Sequence, residues 1–232
     1  MREGLLLVHK PAGVTSHDVV ELVRRKLGVK RVGHTGTLDP MAQGLLILLV
    51  GSATKHQQTF QGHDKTYDAV LELGTQTDTG DALGSPIRTA PVPPLEGARV
   101  EEVLASFQGA LLQTPPAYSA VKVQGRPAYW WARRQQPVAL SARTVHIHRI
   151  ALQRCSGTTV AFRVECSSGT YIRTLAESIA ERLGAVGHLA GLIRLRVGEW
   201  SLDAAKPLAW LSDAGEDDIA REMHPVSALA GR

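Results

Sequence analysis

Two stretches in which apolar and polar side chains alternate constrain the fold of this chain most. Across residues 160–166 every second side chain is apolar, and Arg163 and Glu165 lie between them. Residues 67–73 repeat this period of two. In a strand this period places one face in a core and the other in solvent, which is typical of antiparallel sheets. Both stretches therefore predict strands of an antiparallel sheet.

Segments with helical spacing separate the predicted strands. Thr15-Ser16-His17-Asp18 has the pattern of a capped helix start, and Gly28 is placed to end that helix. Further helices are predicted at residues 54–60, 100–108, 129–134 and 172–183, and further strands at 5–9, 44–50, 118–123, 145–152 with a bulge near Arg149, and 189–197. Because strands and helices alternate irregularly, we predict the α+β class with a mixed, mostly antiparallel sheet flanked by helices.

Composition narrows the class of protein further. The chain has 232 residues, of which 44% are hydrophobic and 21% charged, as in ordinary globular proteins. No apolar run approaches the ~18 residues of a membrane span, and the apolar residues 5–8 are too few for a signal peptide. Cys155 and Cys166 fit no zinc spacing, so we expect buried thiols. These features predict a cytoplasmic protein.

The positive charge of the chain is unevenly distributed. Residues 1–200 carry 23 Lys and Arg against 16 Asp and Glu, whereas residues 201–232 carry three against six. Residues 122–154, which we call the basic segment, contain no acidic residue and interleave Tyr129, Trp130 and Trp131 with basic side chains. Such a segment predicts binding to a polyanion such as nucleic acid. The alternative is a solvated face whose counter-charges come from elsewhere in the fold.

A polar loop at residues 33–40 precedes the apolar residues 44–50. It contains two glycines, two threonines, His34 and Asp39. Asp39 precedes Pro40, which favours an extended backbone and so fixes the direction of the carboxylate. We call this stretch the Asp39 loop and predict that it presents one acid. The alternative is a tight turn in which Asp39 bonds only its own backbone.

A second polar cluster, at residues 167–173, lies between the strand at 160–166 and the following helix. Arg173 would occupy the first turn of that helix, where the macrodipole disfavours a cation. A carboxylate should therefore compensate it. Glu177 follows at a spacing of four in the weaker orientation of such a pair. Asp39, on another loop, is the partner that we expect.

Five motifs occur in order along the chain: residues 33–40, Lys65-Thr-Tyr67, residues 77–81, residues 113–122 and residues 169–173. In this the chain resembles the TruB family of tRNA pseudouridine-55 synthases, which is related to dyskerin, from about Gly4 to Trp200. The resemblance implies a pseudouridine synthase fold with a central active-site cleft. It implies one catalytic domain at 1–200, which includes the basic segment, and a short acidic tail at 201–232, too short for a PUA domain.

The resemblance also implies an activity, the isomerisation of a T-loop uridine of tRNA to pseudouridine. This reaction breaks the N1–C1′ bond, rotates the uracil and joins C5 to C1′, and it needs no cofactor or metal. By resemblance Asp39 is the nucleophile, with C1′ and C6 both open as the point of attack. Arg173 would keep Asp39 ionised, Tyr67 would stack on the uracil, and Tyr171 would line the pocket.

Substrate binding is also implied by the resemblance. The target base must leave its stack, and His34 would fill the vacated space. Lys10, Lys122 and Arg194 would bind tRNA phosphates together with the basic segment. His146 and His148 lack a third ligand nearby in sequence, so we expect no metal site. A monomer that binds the T-arm of tRNA without a guide RNA is expected.

Two alternatives remain open at this point. One is a non-catalytic module that binds and folds tRNA with the same cleft. The other is an acid–base hydrolase that uses Asp39 and His34; the motif's lack of a second carboxylate and the basic surface both disfavour it.

Overall fold

The computed structural model describes residues 3–136 and 138–226. Its elements are, in chain order, β1 (Gly4–Lys10), α1 (Ser16–Leu27), β2 (Val32–His34), β3 (Gln43–Val50), a 3-10 helix (Gly51–His56), α2 (Gln57–Gly62), β4 (Lys65–Leu73), β5 (Thr75–Thr77), β6 (Pro86–Thr89), α3 (Gly97–Ala105), β7 (Gly109–Gln113), β8 (Lys122–Val123), β9 (Arg126–Pro127), α4 (Ala128–Ala132), β10 (Arg143–Ser156), β11 (Thr159–Cys166), α5 (Ile172–Arg182), β12 (Gly187–Val197), β13 (Trp200–Ser201), a 3-10 helix (Leu202–Ala204), β14 (Lys206–Pro207), α6 (Leu208–Asp213) and α7 (Glu216–Arg221). They divide into two compact units, residues 1–67 with 193–232 and residues 68–192.

The sheet of the first unit is centred on β3. Strand β1 pairs with β3 antiparallel along its whole length, from Gly4 opposite Val50 to Lys10 opposite Gly44. β2 is also antiparallel to β3, whereas the end of β12 lies parallel to it, with Arg194 opposite Gly44. Residues 44–50 of β3 are buried on both faces. The apolar run in the sequence therefore forms the central strand of this unit.

Helix α1 begins and ends where the sequence predicts. The Thr15 hydroxyl accepts a hydrogen bond from the Asp18 backbone N–H, and the Asp18 carboxylate accepts one from the Thr15 backbone, which completes a capping box. Gly28 ends the helix in the left-handed region at φ 61°. The helix therefore begins at Ser16, shortly after the turn that follows β1.

Residues 201–226, which the sequence analysis expected as an acidic tail, are folded into the first unit. β14 pairs parallel with the edge of β1, and Leu5 and His224 exchange two backbone hydrogen bonds of 2.9 Å. Leu211 in α6 and Ile219 in α7 are fully buried. Sparse apolar side chains were enough to anchor this segment because each lies on one face of a short helix. Residues 227–232 of the expected tail lie outside the described residues.

The sheet of the second unit runs in the order β12, β4, β11, β10, β7. β10 is antiparallel to both β11 and β7, and its register with β11 shifts between Ile147 and Arg149, which confirms the predicted bulge. β11 and β4 alternate between buried and more exposed residues, as their period of two predicted. The sequence reasoning therefore identified the centre of this sheet correctly.

Elsewhere in the second unit one prediction was wrong and one strand was missed. Residues 118–123 do not form one strand, since only Lys122 and Val123 pair, in a hairpin with β9. The carbonyl of Ser119 instead accepts a hydrogen bond from Tyr129 N–H, and residues 118–121 form a loop. Strand β7 was not predicted, because it is an edge strand whose Leu112 is 72% exposed and it shows no polar alternation.

Candidate active site

The Asp39 loop is fixed by backbone hydrogen bonds within the first unit. Ala42 N–H donates to the Asp39 carbonyl (3.0 Å), and Gly13 N–H donates to the Pro40 carbonyl (2.9 Å). The loop is thus a closed turn attached to residues that follow β1. Asp39 itself is half-buried. The sequence left two alternatives, a tight turn and a loop that presents one acid. The loop is a closed turn, and it also carries the Asp39 carboxylate.

Lys10 lies beneath this loop and is fully buried. Its Nζ donates to the carbonyls of Pro11 (2.9 Å) and Val14 (2.7 Å) and lies 3.5 Å from the Pro40 carbonyl. Burial lowers the pKa of Lys10 to about 8, although the negative charge of Asp39 opposes this shift. The buried ammonium therefore interacts electrostatically with Asp39. It also contacts backbone carbonyls both in the residues that follow β1 and in the Asp39 loop.

Arg194 supplies a second buried cation. Its Nε donates to the Leu45 carbonyl (2.8 Å), and its Nη2 donates to the Gly36 carbonyl (3.1 Å) in the Asp39 loop. It also hydrogen bonds to Tyr67, and burial lowers the pKa of Arg194 against the opposing effects of Tyr67 and Asp39. Arg194 thereby connects three parts of the first unit: the Asp39 loop, β3 and the start of β4.

The positions of Lys10 and Arg194 correct an expectation of the sequence analysis. Both were expected to bind tRNA phosphates, but Lys10 is 0% and Arg194 2% exposed. Their donors are directed at carbonyl oxygens of the surrounding turns and of β3, so neither side chain lies on a surface that a polynucleotide backbone could contact. Both side chains contact carbonyls of the Asp39 loop, and both interact electrostatically with Asp39.

His34 lies at the end of β2 and is partly buried. Burial lowers the pKa of His34, and the charges of Arg194 and His17 lower it further. Its Nδ1 is buried and makes no hydrogen bond within the described residues. The environment therefore favours a neutral imidazole with one free ring nitrogen.

Arg173 and Tyr171 lie in the second unit, at the start of α5. The Arg173 guanidinium is buried and donates to the carbonyls of Thr79 (2.8 Å) and Tyr118 (2.7 Å). The Asp81 carboxylate lies 4.0 Å from Arg173 Nε. Asp81 is in turn held by Thr79 Oγ1 (2.7 Å), so the loop at residues 77–81 fixes Arg173 in place.

The backbone of Tyr171 is held by the side chain of Gln113. Its N–H donates to Gln113 Oε1 (2.7 Å), and its carbonyl accepts from Gln113 Nε2 (3.0 Å). The Arg143 guanidinium lies over its ring, 4.9 Å from the centroid, and donates to the Gly169 carbonyl. Arg143 belongs to the basic segment, but its guanidinium makes these contacts within the protein.

The basic segment contains a cluster of stacked cations and aromatic rings around α4. Arg134 lies over the Trp130 ring at 3.6 Å from its centroid, and Arg126 lies at 5.4 Å from the same centroid. Arg133 lies over Tyr129 at 5.5 Å, and Tyr129 is 41% exposed. We call these residues the Trp130 cluster. Stacking restricts each guanidinium while leaving it exposed, which suits contact with phosphates or bases. Lys122 is exposed in the adjacent hairpin.

The structure brings some of the predicted site residues together. Lys10, Asp39, Tyr67 and Arg194 interact within the first unit, whereas Arg173, Tyr171 and Lys122 belong to the second. The pairing of Arg173 with Asp39 stays a prediction. The motif at residues 77–81 was identified from the sequence, but no role was predicted for Asp81. Two acids in a five-residue polar loop were a signal that could have identified it as a site residue.

Within residues 3–136 and 138–226 no helix combines the length and apolar character of a membrane span. In the same ranges no three potential ligands from His, Cys, Asp and Glu are placed to hold a metal ion. His146 and His148 lie with ring centroids 4.9 Å apart on β10.

Residues 24–172 match the sequence model of the TruB family pseudouridylate synthase N-terminal domain. Solved structures support the same class. The chain has a TM-score of 0.71 and 27% identity to a chain of a Cbf5-Nop10-Gar1 complex, covering 97% of this chain and 60% of that one. It has a TM-score of 0.71 and 26% identity to a chain of the archaeal box H/ACA sRNP Nop10-Cbf5 complex, with the same coverage. The fold is that of a pseudouridine synthase, and the protein is an isomerase.

Curated relatives make the assignment more specific. The chain is 48% identical over 229 residues to tRNA pseudouridine synthase B of Burkholderia lata. This match covers 98% of this chain and 70% of that protein. It is 47% identical over 196 residues to the protein of the same name from Hydrogenovibrio crunogenus, which covers 84% of this chain and 65% of that protein. The chain belongs to the TruB family of pseudouridylate synthases.

Proposed function

We propose that this protein converts the uridine at position 55, in the T-loop of tRNA, to pseudouridine. Relatives that are nearly half identical over most of the chain are named tRNA pseudouridine synthase B, which supports tRNA as the substrate. The observation that carries the chemistry is the Asp39 loop, which presents one carboxylate next to two buried cations.

The proposed reaction balances within the nucleotide. The N1–C1′ bond breaks, the uracil rotates, a C5–C1′ bond forms, and the proton of C5 is lost while N1 gains one. Asp39 is the nucleophile, and it attacks either C1′ or C6. The positive charges of Lys10 and Arg194 favour its ionised form. Tyr67, held by Arg194, stacks on the uracil.

Arg173 and Tyr171 complete the proposed site. Arg173 pairs with the Asp39 carboxylate, and Asp81 with the carbonyls of Thr79 and Tyr118 keeps its guanidinium in one orientation. Tyr171 lines the pocket beside it. Because Arg173 already has several internal partners, it needs little reorganisation when the substrate binds, which is the condition for electrostatic stabilisation.

The tRNA arm is bound by the Trp130 cluster and Lys122, whose exposed cations contact phosphates. The target base leaves its stack at a cost of a few kcal/mol. His34 fills the space that the base vacates, since its neutral imidazole can stack without carrying a charge into the loop of the tRNA.

We further propose that the protein acts as a monomer, in the cytoplasm, and without a guide RNA. The absence of a guide RNA is the part that the curated relatives support, because they are named for the modification of tRNA. Activity of the purified chain on a tRNA transcript with no other RNA present, together with its mass in solution, tests these statements.

The function is tested by tritium release from tRNA transcript labelled at uridine C5. We expect the wild-type protein to release one tritium per tRNA, and none from a transcript with cytidine at position 55. Asp39→Asn should release tritium at below about one-thousandth of the wild-type rate, because it removes the nucleophile. Its affinity for tRNA, measured by filter binding, should remain within about threefold of wild type.

Two results would contradict this proposal. Free uracil in place of pseudouridine would identify a hydrolase. Wild-type protein that binds tRNA but releases no tritium would leave the non-catalytic tRNA-folding function.

A further inference from the structure

We propose that Ser16 is a positioning residue for Asp39, through the peptide groups of Leu38. This inference rests on the proposed function, because it assigns Ser16 a role only if Asp39 is the reacting group. Ser16 does not touch the substrate in this proposal. It acts on the reaction through the backbone that carries the nucleophile.

The contact is a pair of hydrogen bonds made by one hydroxyl. Ser16 Oγ accepts from Leu38 N–H (2.9 Å) and donates to the Leu38 carbonyl (3.1 Å). Both residues are buried, with 2% of Ser16 and 3% of Leu38 exposed. Water therefore cannot take the place of the hydroxyl, and its removal would leave a buried donor and acceptor unpaired.

The other side of Asp39 is attached to the same turn. The Pro40 carbonyl accepts from Gly13 N–H (2.9 Å) and lies 3.5 Å from Lys10 Nζ. The residues before and after Asp39 are thus both held by residues 10–16. With both of its neighbours bonded to this short segment, the backbone of Asp39 has little freedom, and its side chain starts from a defined position.

Ser16 directly follows the capping residue Thr15 in the sequence. It is the first residue of α1, and its hydroxyl is directed at the backbone of Leu38. The capping pattern explains Thr15 and Asp18 fully. It gives no reason for a hydroxyl at the buried position 16, and the bonds to Leu38 supply that reason.

Loss of the hydroxyl should affect the chemical step more than tRNA binding. A displacement of about 1 Å at a reacting group can reduce a rate by about a hundredfold. The cations proposed to bind tRNA lie in other elements, at residues 122–134. We therefore expect Ser16→Ala to lower kcat by about 10- to 100-fold while KM for tRNA stays within about threefold.

Thr15→Ala provides the matched control. It removes the cap of the same helix, but among the described residues the Thr15 hydroxyl bonds Asp18 and makes no hydrogen bond with the Asp39 loop. We expect its kcat to stay within about twofold of wild type. An equal loss of kcat in both variants would show that only helix stability matters and would overturn the proposal, as would wild-type kcat in Ser16→Ala.

Ser16→Cys tests the same point if the alanine variant does not fold. The thiol has a similar volume but is a weak donor and acceptor, so kcat should fall clearly below wild type. Full activity of the cysteine variant would contradict the proposal.

Amide exchange gives a readout that does not depend on activity. The Leu38 amide should exchange at least about tenfold faster in Ser16→Ala, because its acceptor is lost. The Thr35 amide, which donates to the Ile47 carbonyl (3.1 Å), should be unchanged. Activity in Asp39→Asn would refute the proposed function, whereas an inactive Asp39→Asn with a fully active Ser16→Ala would refute only the role of Ser16.

Discussion

Lys10 offers a quantitative test of the electrostatics around Asp39. Its ammonium is fully buried, and burial lowers its pKa from 10.5 to about 8. Between these two values the unfolded chain binds a proton that the folded chain does not bind. The free energy of unfolding should therefore rise with pH in this range, because the penalty of burying the charge disappears.

The size of this effect follows from the shift. One pKa unit corresponds to about 1.36 kcal/mol, so a shift from 10.5 to about 8 represents about 3.4 kcal/mol in full. Integrated from pH 7 to pH 10, which covers most of the range, the gain is about 2.5 kcal/mol. Below pH 8 the side chain is charged in both states, and the penalty is fully present.

The comparison with Lys10→Met isolates this contribution, since methionine keeps the apolar stem and cannot titrate. Urea unfolding of both proteins should be followed between pH 7 and pH 10, and the free energy of wild type minus that of the variant should rise by about 2.5 kcal/mol. Tyrosines and other lysines titrate in both proteins and cancel. A difference that changes by less than about 0.5 kcal/mol across this range would refute the description of Lys10 as a desolvated ammonium.

Two further variants test the remaining parts of the proposed site. Trp130→Ala removes the ring on which Arg126 and Arg134 stack, so we expect the Kd for tRNA to rise about tenfold while kcat at saturating tRNA is unchanged; an unaltered Kd in filter binding would exclude the Trp130 cluster from the tRNA contact. Asp81→Asn removes the negative charge that lies 4.0 Å from the buried Arg173 Nε, so kcat should fall and the free energy of unfolding should drop by roughly 3 kcal/mol, whereas wild-type single-turnover rates would contradict a role for Asp81 in holding Arg173.

Much of the fold could be predicted because the relevant signals are local. The period of two in residues 67–73 and 160–166 and the caps at Thr15 and Gly28 each depend on neighbours within a few residues. The prediction at residues 118–123 was wrong because the partner of that backbone, the Tyr129 amide, lies in helix α4 and not in a neighbouring strand. Apolar content alone cannot distinguish an edge strand from such a loop.

The candidate site was predictable in its residue types but less so in its contacts. The polar density of residues 33–40 singled out Asp39 directly. The burial of Lys10 and Arg194 could not be foreseen, because their acceptors include carbonyls far along the chain: Pro40 for Lys10 and Leu45 for Arg194. Burying a cation costs free energy unless hydrogen bonds compensate it. Only the folded backbone shows which carbonyl groups provide that compensation.

The backbone bonds between Leu5 and His224, together with the pairing of β14 with β1, have a practical consequence for protein engineering. A recombinant fragment that stopped at residue 200 would strip the cover from the outer side of β1, whose residues 5–8 are all buried leucine and valine. Exposed strand edges of that kind recruit other chains and aggregate. Fragments intended for expression should therefore retain at least the residues through His224.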